Sequence, residues 1–217
     1  MTARRRTRLT RGESQTRTRE RLLDAAVEVF AERGLAGASV EEIADRAGYS
    51  KGAVYSNFAS KTDLALAVLE RRNQQQLQAL ATLIPALGDQ PAFWADQATT
   101  GSAGPWDALL AELLVTARYD PQLRDRLGDQ LRRVRTQAAT IVAGGGPPNQ
   151  EHLDAVTVTL ALSHGLAAAY AVDPDPHLMQ LWAATVSRLY RELTATPPAG
   201  TDQRAGPPDA GGHEARG

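Results

Sequence analysis

The sequence contains no cysteine, only two lysines and few aromatic residues. Without cysteine the chain can form no disulfide framework, no thiolate metal site and no thiol nucleophile. Its histidines are His152, His164, His177 and His213, and their spacing matches no metal-ligand pattern. Ser163 and His164 are adjacent, so on a helix they point about 100° apart and cannot act as a nucleophile and its base. These absences predict a protein that is not an enzyme and holds neither a metal nor a cofactor.

Long apolar runs are also scarce. The arginines near the N-terminus are not followed by a hydrophobic segment, so the sequence predicts no signal peptide. No apolar run approaches the length of a membrane span, and we therefore expect a cytoplasmic protein that contacts no membrane. The formal net charge is −1, but residues 1–61 hold 12 basic and 8 acidic residues, a net +4, which leaves −5 for the remainder. The N-terminal part is therefore the one suited to a polyanion.

Residues 39–58, SVEEIADRAGYSKGAVYSNF, predict two short helices joined by a tight turn. Ser39 precedes apolar residues spaced as one face of a helix, with Glu42 at the position of a capping box. Ser50 is the predicted N-cap of a second helix, which buries Val54. Gly48 lies between them, where a backbone with positive φ would end the first helix. Two capped helices around such a glycine are typical of a helix-turn-helix.

The two lysines, Lys51 and Lys61, each follow a serine N-cap and therefore occupy the first position of a helix. A cation is unfavourable there, because a helix N-terminus carries partial positive charge. A phosphate between the helix end and the ammonium group would reverse that effect, and we favour this interpretation. The alternative is that both lysines are solvated surface residues, whose cost is only about a few tenths of a kcal/mol.

Residues from about Thr16 to Leu69, with LLDAAVEVFAERG and SVEEIADRAGYSKGAVYSNFASKTDL, resemble the DNA-binding domain of the tetracycline-repressor (TetR) family of bacterial regulators. The resemblance implies an all-α homodimer with a three-helix N-terminal DNA-binding domain and a larger helical domain that binds a small molecule and dimerises. The expected function is a ligand-responsive repressor that binds a palindromic operator in double-stranded DNA and releases it on binding an effector. The alternatives are a nucleoid-style DNA-binding protein without an effector, and a helical carrier or enzyme with a vestigial head.

Composition and the resemblance together divide the chain into four predicted parts. Residues 1–16 are expected to be a flexible basic arm, 17–60 the helix-turn-helix domain, 61–195 the ligand-binding and dimerisation domain, and 196–217 a disordered tail rich in proline and glycine. The resemblance implies that the helix from Lys61 to Ile84 links the two domains and tilts when ligand binds. About nine helices are predicted, at residues 17–33, 40–47, 51–58, 61–84, 91–99, 106–119, 122–142, 150–171 and 176–193.

Nine residues around the second short helix are predicted to contact DNA. The lysines and Tyr55 are expected to hold phosphates, and the backbone at the two serine caps to assist. Four residues of the helix are expected to face the groove; among them Ala53 suits a thymine methyl group and Asn57 suits adenine. The set is Ser39, Ser50, Lys51, Gly52, Ala53, Tyr55, Ser56, Asn57 and Lys61.

Two further sets are predicted in the larger domain. Aromatic and polar residues that could line an effector pocket are Trp94, Trp106, Arg118, Tyr119, His164 and Tyr170, with ordinary core packing as the alternative. The last two helices are dense in small and apolar residues and suit a four-helix interface between two copies, with an intramolecular hairpin as the alternative. The predicted interface residues are Ala161, Gly165, Ala168, Leu178, Trp182 and Leu189.

Overall fold

A computed structural model describes residues 10–83 and 105–194. Within these two ranges the chain forms eight helices and no strand, which confirms the predicted all-α fold. The predicted helix at 91–99 and the predicted tail at 196–217 lie outside the described residues. The helices are α1 Arg11–Gly37, α2 Val40–Ala47, α3 Lys51–Asn57, α4 Lys61–Leu83, α5 Pro105–Ala117, α6 Pro121–Val142, α7 Gln150–Val172 and α8 Pro176–Thr194.

Helix α1 begins at Arg11, earlier than the predicted start at Arg17. Thr10 is the N-cap, and its hydroxyl accepts a hydrogen bond from the Glu13 amide at 3.2 Å. The Glu13 carboxylate accepts one from the Thr10 amide at 2.7 Å, which completes a capping box. These hydrogen bonds to the Thr10 backbone and side chain lower the pKa of Glu13. The prediction of a flexible arm is therefore wrong for residues 11–16, which are helical.

Gly34 interrupts α1 where the sequence predicted its end. Its backbone has φ 68° and ψ 175°, values that are costly for any residue with a side chain. The three residues after it form a further turn, which closes when the Ala38 amide donates to the Gly34 carbonyl at 3.2 Å. The kink therefore sets the direction in which the chain enters α2.

The helix-turn-helix forms by the local signals that predicted it. The Ser39 hydroxyl accepts from the Glu42 amide at 3.0 Å, and the Ser50 hydroxyl accepts from the Ala53 amide at 3.2 Å. Gly48 has φ 73° and ψ 32° in the left-handed region, as a helix end requires. The predicted second half of the first capping box is absent, because the Glu42 carboxylate instead lies 3.5 Å from the guanidinium of Arg33.

The hydrophobic core is continuous from the N-terminal helices into the larger domain. Fully buried residues come from α1 to α4, and the same cluster continues through α5 and into α6. A second, smaller cluster joins α6 to α7. Helices α4 and α5 therefore pack directly against α1 of the DNA-binding helices through buried side chains. The largest side chains that are fully buried are Leu22, Val29, Ile43, Val54, Leu64, Val68, Leu113 and Leu127.

Helix α7 is apolar around most of its circumference but is poorly covered. Among its described side chains only Val156 and Ala167 are buried, while Val158 and Val172 are 54% and 87% exposed. Within the described residues, α7 is the one helix that is long enough and apolar enough to cross a membrane, judged by length and composition alone. The prediction that no apolar run approaches that length is therefore wrong. Length and composition are also those of a helix that packs against protein on several sides.

Candidate nucleic-acid interface and internal cavity

Helix α3 has a buried face and an exposed face. Val54 is 1% exposed, and Phe58, which follows the helix, is 5% exposed. Lys51, Gly52, Tyr55 and Ser56 lie on the exposed side, and Tyr55 keeps 48% of its surface accessible. Because Gly52 and Ser56 are small, another molecule can approach the helix axis closely beside the Tyr55 ring.

Gly52 occupies a position where the fold does not require glycine. Its φ is not positive, and a Cβ built there would meet only the Ser50 hydroxyl, at an ordinary contact distance of 3.7 Å. Glycine inside a helix costs up to about 1 kcal/mol relative to alanine. The chain thus carries a local instability on the exposed face of α3 that its own packing does not explain. Close approach of a DNA backbone or base edge would explain it.

Lys51 has a partner that the sequence did not reveal. Its ammonium forms an ion pair with the carboxylate of Glu41 in α2, and it lies 5.9 Å from the centre of the Tyr55 ring. The hydrogen bond to Glu41 raises the pKa of Lys51 and lowers that of Glu41. The two residues meet because α2 and α3 cross, a contact that sequence spacing does not show. A phosphate bound by Lys51 would compete with Glu41.

Lys61 also has intramolecular partners. Its Nζ donates to the carbonyl of Ala38 at 2.7 Å and to that of Ala36 at 3.3 Å. Both carbonyls follow the kink at Gly34, so the ammonium binds the segment that connects α1 to α2. Its role in phosphate binding remains a prediction, and a structural role stands beside it.

The two predicted base readers at the end of α3 hydrogen-bond to their own helix. The Asn57 amide donates to the Ala53 carbonyl at 2.8 Å, and the Ser56 hydroxyl donates to the same carbonyl at 2.9 Å. Arg19 of α1 donates to the Asn57 carbonyl at 3.0 Å and lies 4.3 Å from the Phe58 ring centre. Base reading by Asn57 would therefore need rotation of its side chain. Arg19 fixes the end of α3 against α1.

A cavity of about 250 Å³ lies between α4, α5, α6 and α7. Two predicted pocket residues, Trp106 and His164, line it. Arg118, Tyr119 and Tyr170 do not, and Tyr119 is 83% exposed; Trp94 lies outside the described residues. The lining is Leu69, Arg72, Asn73, Gln76, Trp106, Asp107, Leu110, Leu131, Arg132, Val134, Arg135, Thr157, Leu160 and His164.

The cavity wall contains polar atoms that the fold leaves unsatisfied. Among the described side chains, three buried nitrogen or oxygen atoms lack a hydrogen-bond partner: Nε of Arg72, Nδ2 of Asn73 and Nε of Arg135. All three belong to residues that line the cavity. Burial lowers the pKa of His164 and the nearby carboxylate of Asp107 opposes that shift, so the imidazole favours its neutral form. The sequence predicted none of the three residues, because only the packing of α4 and α6 brings them together.

Glu112 connects the cavity region to the helix-turn-helix. Its two carboxylate oxygens accept hydrogen bonds from the amides of Leu35 and Ala36, each at 3.0 Å. Glu112 lies in α5, the helix that also carries Trp106 and Asp107 in the cavity wall. The segment after the kink is thus held by Glu112 through its amides and by Lys61 through its carbonyls.

The predicted dimer residues divide into two groups within one chain. Ala161, Gly165 and Ala168 of α7 are exposed, and no atom lies within 4 Å of a Cβ built on Gly165. Leu178, Trp182 and Leu189 of α8 are half-buried. The Trp182 indole donates to the Ser163 hydroxyl of α7 at 2.7 Å, so α7 and α8 also form an intramolecular hairpin.

Comparison with known proteins shows which family this part of the chain is similar to. Residues 22–68 match the model of the bacterial regulatory proteins of the tetR family. The helix-turn-helix segment of the chain is therefore similar to that of the TetR family. Over 53 residues it is 57% identical to the HTH-type transcriptional activator FasR of Mycolicibacterium smegmatis. That match spans only 24% of this chain and 24% of FasR, so it concerns about a quarter of each protein.

Other comparisons extend over most of the chain. It is 28% identical over 176 residues to an uncharacterized HTH-type transcriptional regulator of Mycobacterium tuberculosis, covering 78% of this chain and 90% of that protein. A solved transcriptional regulator from Rhodococcus superposes with a TM-score of 0.58 at 27% identity, covering 80% and 96% of the two chains. A TetR-family regulator from Cytophaga hutchinsonii gives a TM-score of 0.63 at 18% identity, covering 88% and 100%, which shows the shared fold.

Proposed function

We propose that this chain is a cytoplasmic transcriptional regulator of the TetR family that binds a palindromic operator as a homodimer. The observation that carries the DNA-binding part is the exposed face of α3, where Gly52 leaves space that the fold does not use. Lys51 and Tyr55 border that space, and Arg19 fixes the far end of the helix. A helix presented in this way enters a major groove with its N-terminal residues at the base edges.

The proposed regulation is release of the operator when a small molecule occupies the cavity. Unsatisfied donors in the cavity wall favour an effector-responsive protein over a nucleoid-style protein without an effector, because a ligand would supply their missing acceptors. Release makes the protein a repressor where the operator overlaps a promoter. FasR, the relative in M. smegmatis, is named an activator, and the position of the operator decides between these outcomes.

The proposed coupling runs through two helices that contact both the cavity and the DNA-binding helices. Helix α4 contributes Arg72 to the cavity and begins at Lys61, which binds the segment after the kink. Helix α5 contributes Trp106 to the cavity and Glu112 to the same segment. Movement of either helix on ligand binding would reorient α2 and α3. Coupling can be no larger than the difference in ligand affinity between the two states.

The proposed homodimer is formed by α7 and α8. Ala161, Gly165 and Ala168 provide a strip of small exposed residues on an otherwise apolar helix, which allows close approach of a second copy. Such an isologous interface would bury the apolar surface that one chain leaves uncovered. It would also place two α3 helices in the symmetric arrangement that a palindrome requires.

Binding to a palindromic duplex that the protein selects from a random-sequence pool tests this function. We expect fluorescence anisotropy to give an affinity that falls steeply with salt, with a log–log slope of about 0.9 per phosphate contact. A random duplex of equal length is the control and should bind more weakly. Equal, shallow salt dependence on both duplexes would contradict operator recognition.

A further inference from the structure

The cavity between α4, α5, α6 and α7 contains buried hydrogen-bond donors that lack acceptors. The three buried side-chain atoms without a partner in the described residues are all nitrogen donors, and two belong to guanidinium groups. A buried donor left unpaired is unfavourable, so such atoms are rare in folded proteins. Arg72 and Arg135 come from different helices, so the same local sequence pattern does not explain both.

The charged side chains that line the cavity also favour a ligand with negative charge. Arg72, Arg132 and Arg135 line it, and among the described lining residues the acidic one is Asp107. Arg132 forms an ion pair with Asp129, which is not part of the lining. The remaining guanidinium groups still outnumber the lining carboxylate. A ligand that enters the cavity therefore meets positive potential and free N–H groups, which together select an anion with oxygen acceptors.

Part of the rest of the wall is apolar, beside the polar side chains of Gln76, Thr157 and His164. Trp106 contributes an aromatic face, and the Arg72 guanidinium lies 5.7 Å from its ring centre. The apolar side chains that complete the wall are Leu69, Leu110, Leu131, Val134 and Leu160. The volume of about 250 Å³ equals the liquid volume of about eight water molecules. It suits a small molecule whose apolar body occupies this part of the cavity.

We infer that the cavity binds a small organic anion, whose carboxylate or phosphate group accepts hydrogen bonds from Arg72 and Arg135 and whose apolar body packs against Trp106. Asn73 supplies a further donor to the anionic group. The inference rests on the proposed function of this cavity as the effector site and specifies the chemical class of the effector.

The first experiment compares probes that differ in the head group. Isothermal titration calorimetry on the full chain would use 3-phenylpropionate, 2-phenylethyl phosphate, 3-phenylpropionamide and 3-phenylpropylamine, with inorganic phosphate as the anion without an apolar body. We expect one of the two organic anions to bind at least about tenfold more tightly than the amide or the amine. The preferred anion then identifies the head group. Equal or tighter binding of the amine or amide, or no binding of either organic anion, overturns the inference. Equally tight binding of inorganic phosphate overturns the assignment of the apolar body.

The second experiment removes the guanidinium groups. Arg72→Gln and Arg135→Gln should each weaken anion binding about tenfold or more while leaving amide binding unchanged. Arg133→Gln is the matched control, because Arg133 is exposed on α6, lies outside the cavity and is 4.0 Å from Glu70. A loss of affinity as large in the control as in the other two variants would contradict the assignment.

A measurement without any ligand guards against variants that fold poorly. Arg135→Met keeps much of the side-chain volume but removes a buried donor that has no partner. We expect its melting temperature to equal or exceed that of the unmodified chain, whereas a clear decrease would show that the guanidinium already has compensating interactions.

The inference and the proposed function fail in different ways. Binding of the anion with unchanged operator affinity would keep the site and reject its coupling to DNA. Operator binding without anion binding would reject the site and keep the DNA-binding function.

Discussion

At the scale of single residues, a change at Gly52 is predicted to affect folding and DNA binding in opposite directions. We expect Gly52→Ala to stabilise the fold by about 0.5–1 kcal/mol, because alanine favours the helix and the added methyl group meets no close neighbour. The same methyl group should weaken operator binding about tenfold by preventing close approach to the duplex. Thermal unfolding and fluorescence anisotropy measure the two effects.

Gly128→Ala is the control for this change. Gly128 lies within α6, and its Cβ would meet only the flexible end of Arg132, at 3.3 Å. It should change stability in the same direction and leave DNA binding unaltered. Normal operator affinity of Gly52→Ala would remove the main support for the proposed docking face.

Lys61 makes two separable contributions. Lys61→Met should lower the free energy of unfolding by about 1 kcal/mol, because the carbonyls of Ala36 and Ala38 lose their donor. If Lys61 also binds a phosphate, the variant should bind all duplexes more weakly, with a salt slope smaller by about 0.9. Denaturant unfolding and salt titrations measure these quantities. A changed base preference would instead assign Lys61 to sequence reading.

His164 should make stability depend on pH. Burial lowers its pKa below the ordinary value of 6.5, so the unfolded chain binds the proton more readily than the folded chain. Stability is therefore lost as pH falls through 6.5 towards the folded-state pKa. Asp107 opposes this loss, and Arg72, Arg132 and Arg135 line the same cavity.

The measurement is the melting temperature at about pH 7.5 and about pH 5.5. We expect His164→Gln to lose less stability between these values than the unmodified chain. His177→Gln, at an exposed position of α8, is the control and should retain the normal dependence. Identical pH dependence in all three proteins would show that His164 is not the responsible group.

The residues that the sequence predicted well are those whose partners are close in sequence. Ser39, Gly48 and Ser50 act on backbone within three or four positions, so their types and spacing were enough. The partners of Lys51 and Lys61 come from crossing elements and were not predictable from spacing. Thr10 is different, because its capping box with Glu13 was visible in the sequence and was missed.

At the scale of elements, α5 connects the cavity to the segment after the kink at Gly34, and the sequence did not predict this connection. Periodicity predicted α5 as a helix, but nothing local indicated that Glu112 would accept from the Leu35 and Ala36 amides. The cavity was equally unpredictable in detail. Of the six predicted pocket residues the structure places Trp106 and His164 in its wall, while Arg72 and Arg135, whose Nε atoms are buried there, were absent from the prediction.

Replacing Glu112 tests this connection. Glu112→Gln keeps the shape of the side chain but loses the charge and one acceptor, so we expect stability to fall by about 1–2 kcal/mol. Amide exchange at Leu35 and Ala36 should accelerate more than at other core amides. Glu151→Gln, on the exposed surface of α7, should change neither quantity. Unchanged exchange at Leu35 and Ala36 in Glu112→Gln would show that the contact does not restrain the segment.

At the scale of the whole molecule, the uncovered apolar surface of α7 requires an explanation. One chain leaves Ala161, Gly165 and Ala168 exposed, and surfaces of this kind on a water-soluble protein mark interaction sites. A second copy would cover this surface and would also bring two recognition helices to one duplex. Ala168→Glu should disrupt such an interface, because it would place a charge at the contact without a partner.

We expect the unmodified chain to elute with twice the chain mass of 23.3 kDa in light-scattering chromatography, and Ala168→Glu to elute as a monomer. Operator affinity should then fall by at least about a hundredfold, because each half-site is bound without the gain from linkage to the other. Gln180→Glu adds the same charge at an exposed position of α8 and should remain dimeric with normal affinity. A monomeric unmodified chain that binds the operator normally would exclude α7 as the dimer interface. Recovery of the unmodified chain in the membrane fraction would instead assign the apolar surface of α7 to lipid, since its length and composition also permit a span.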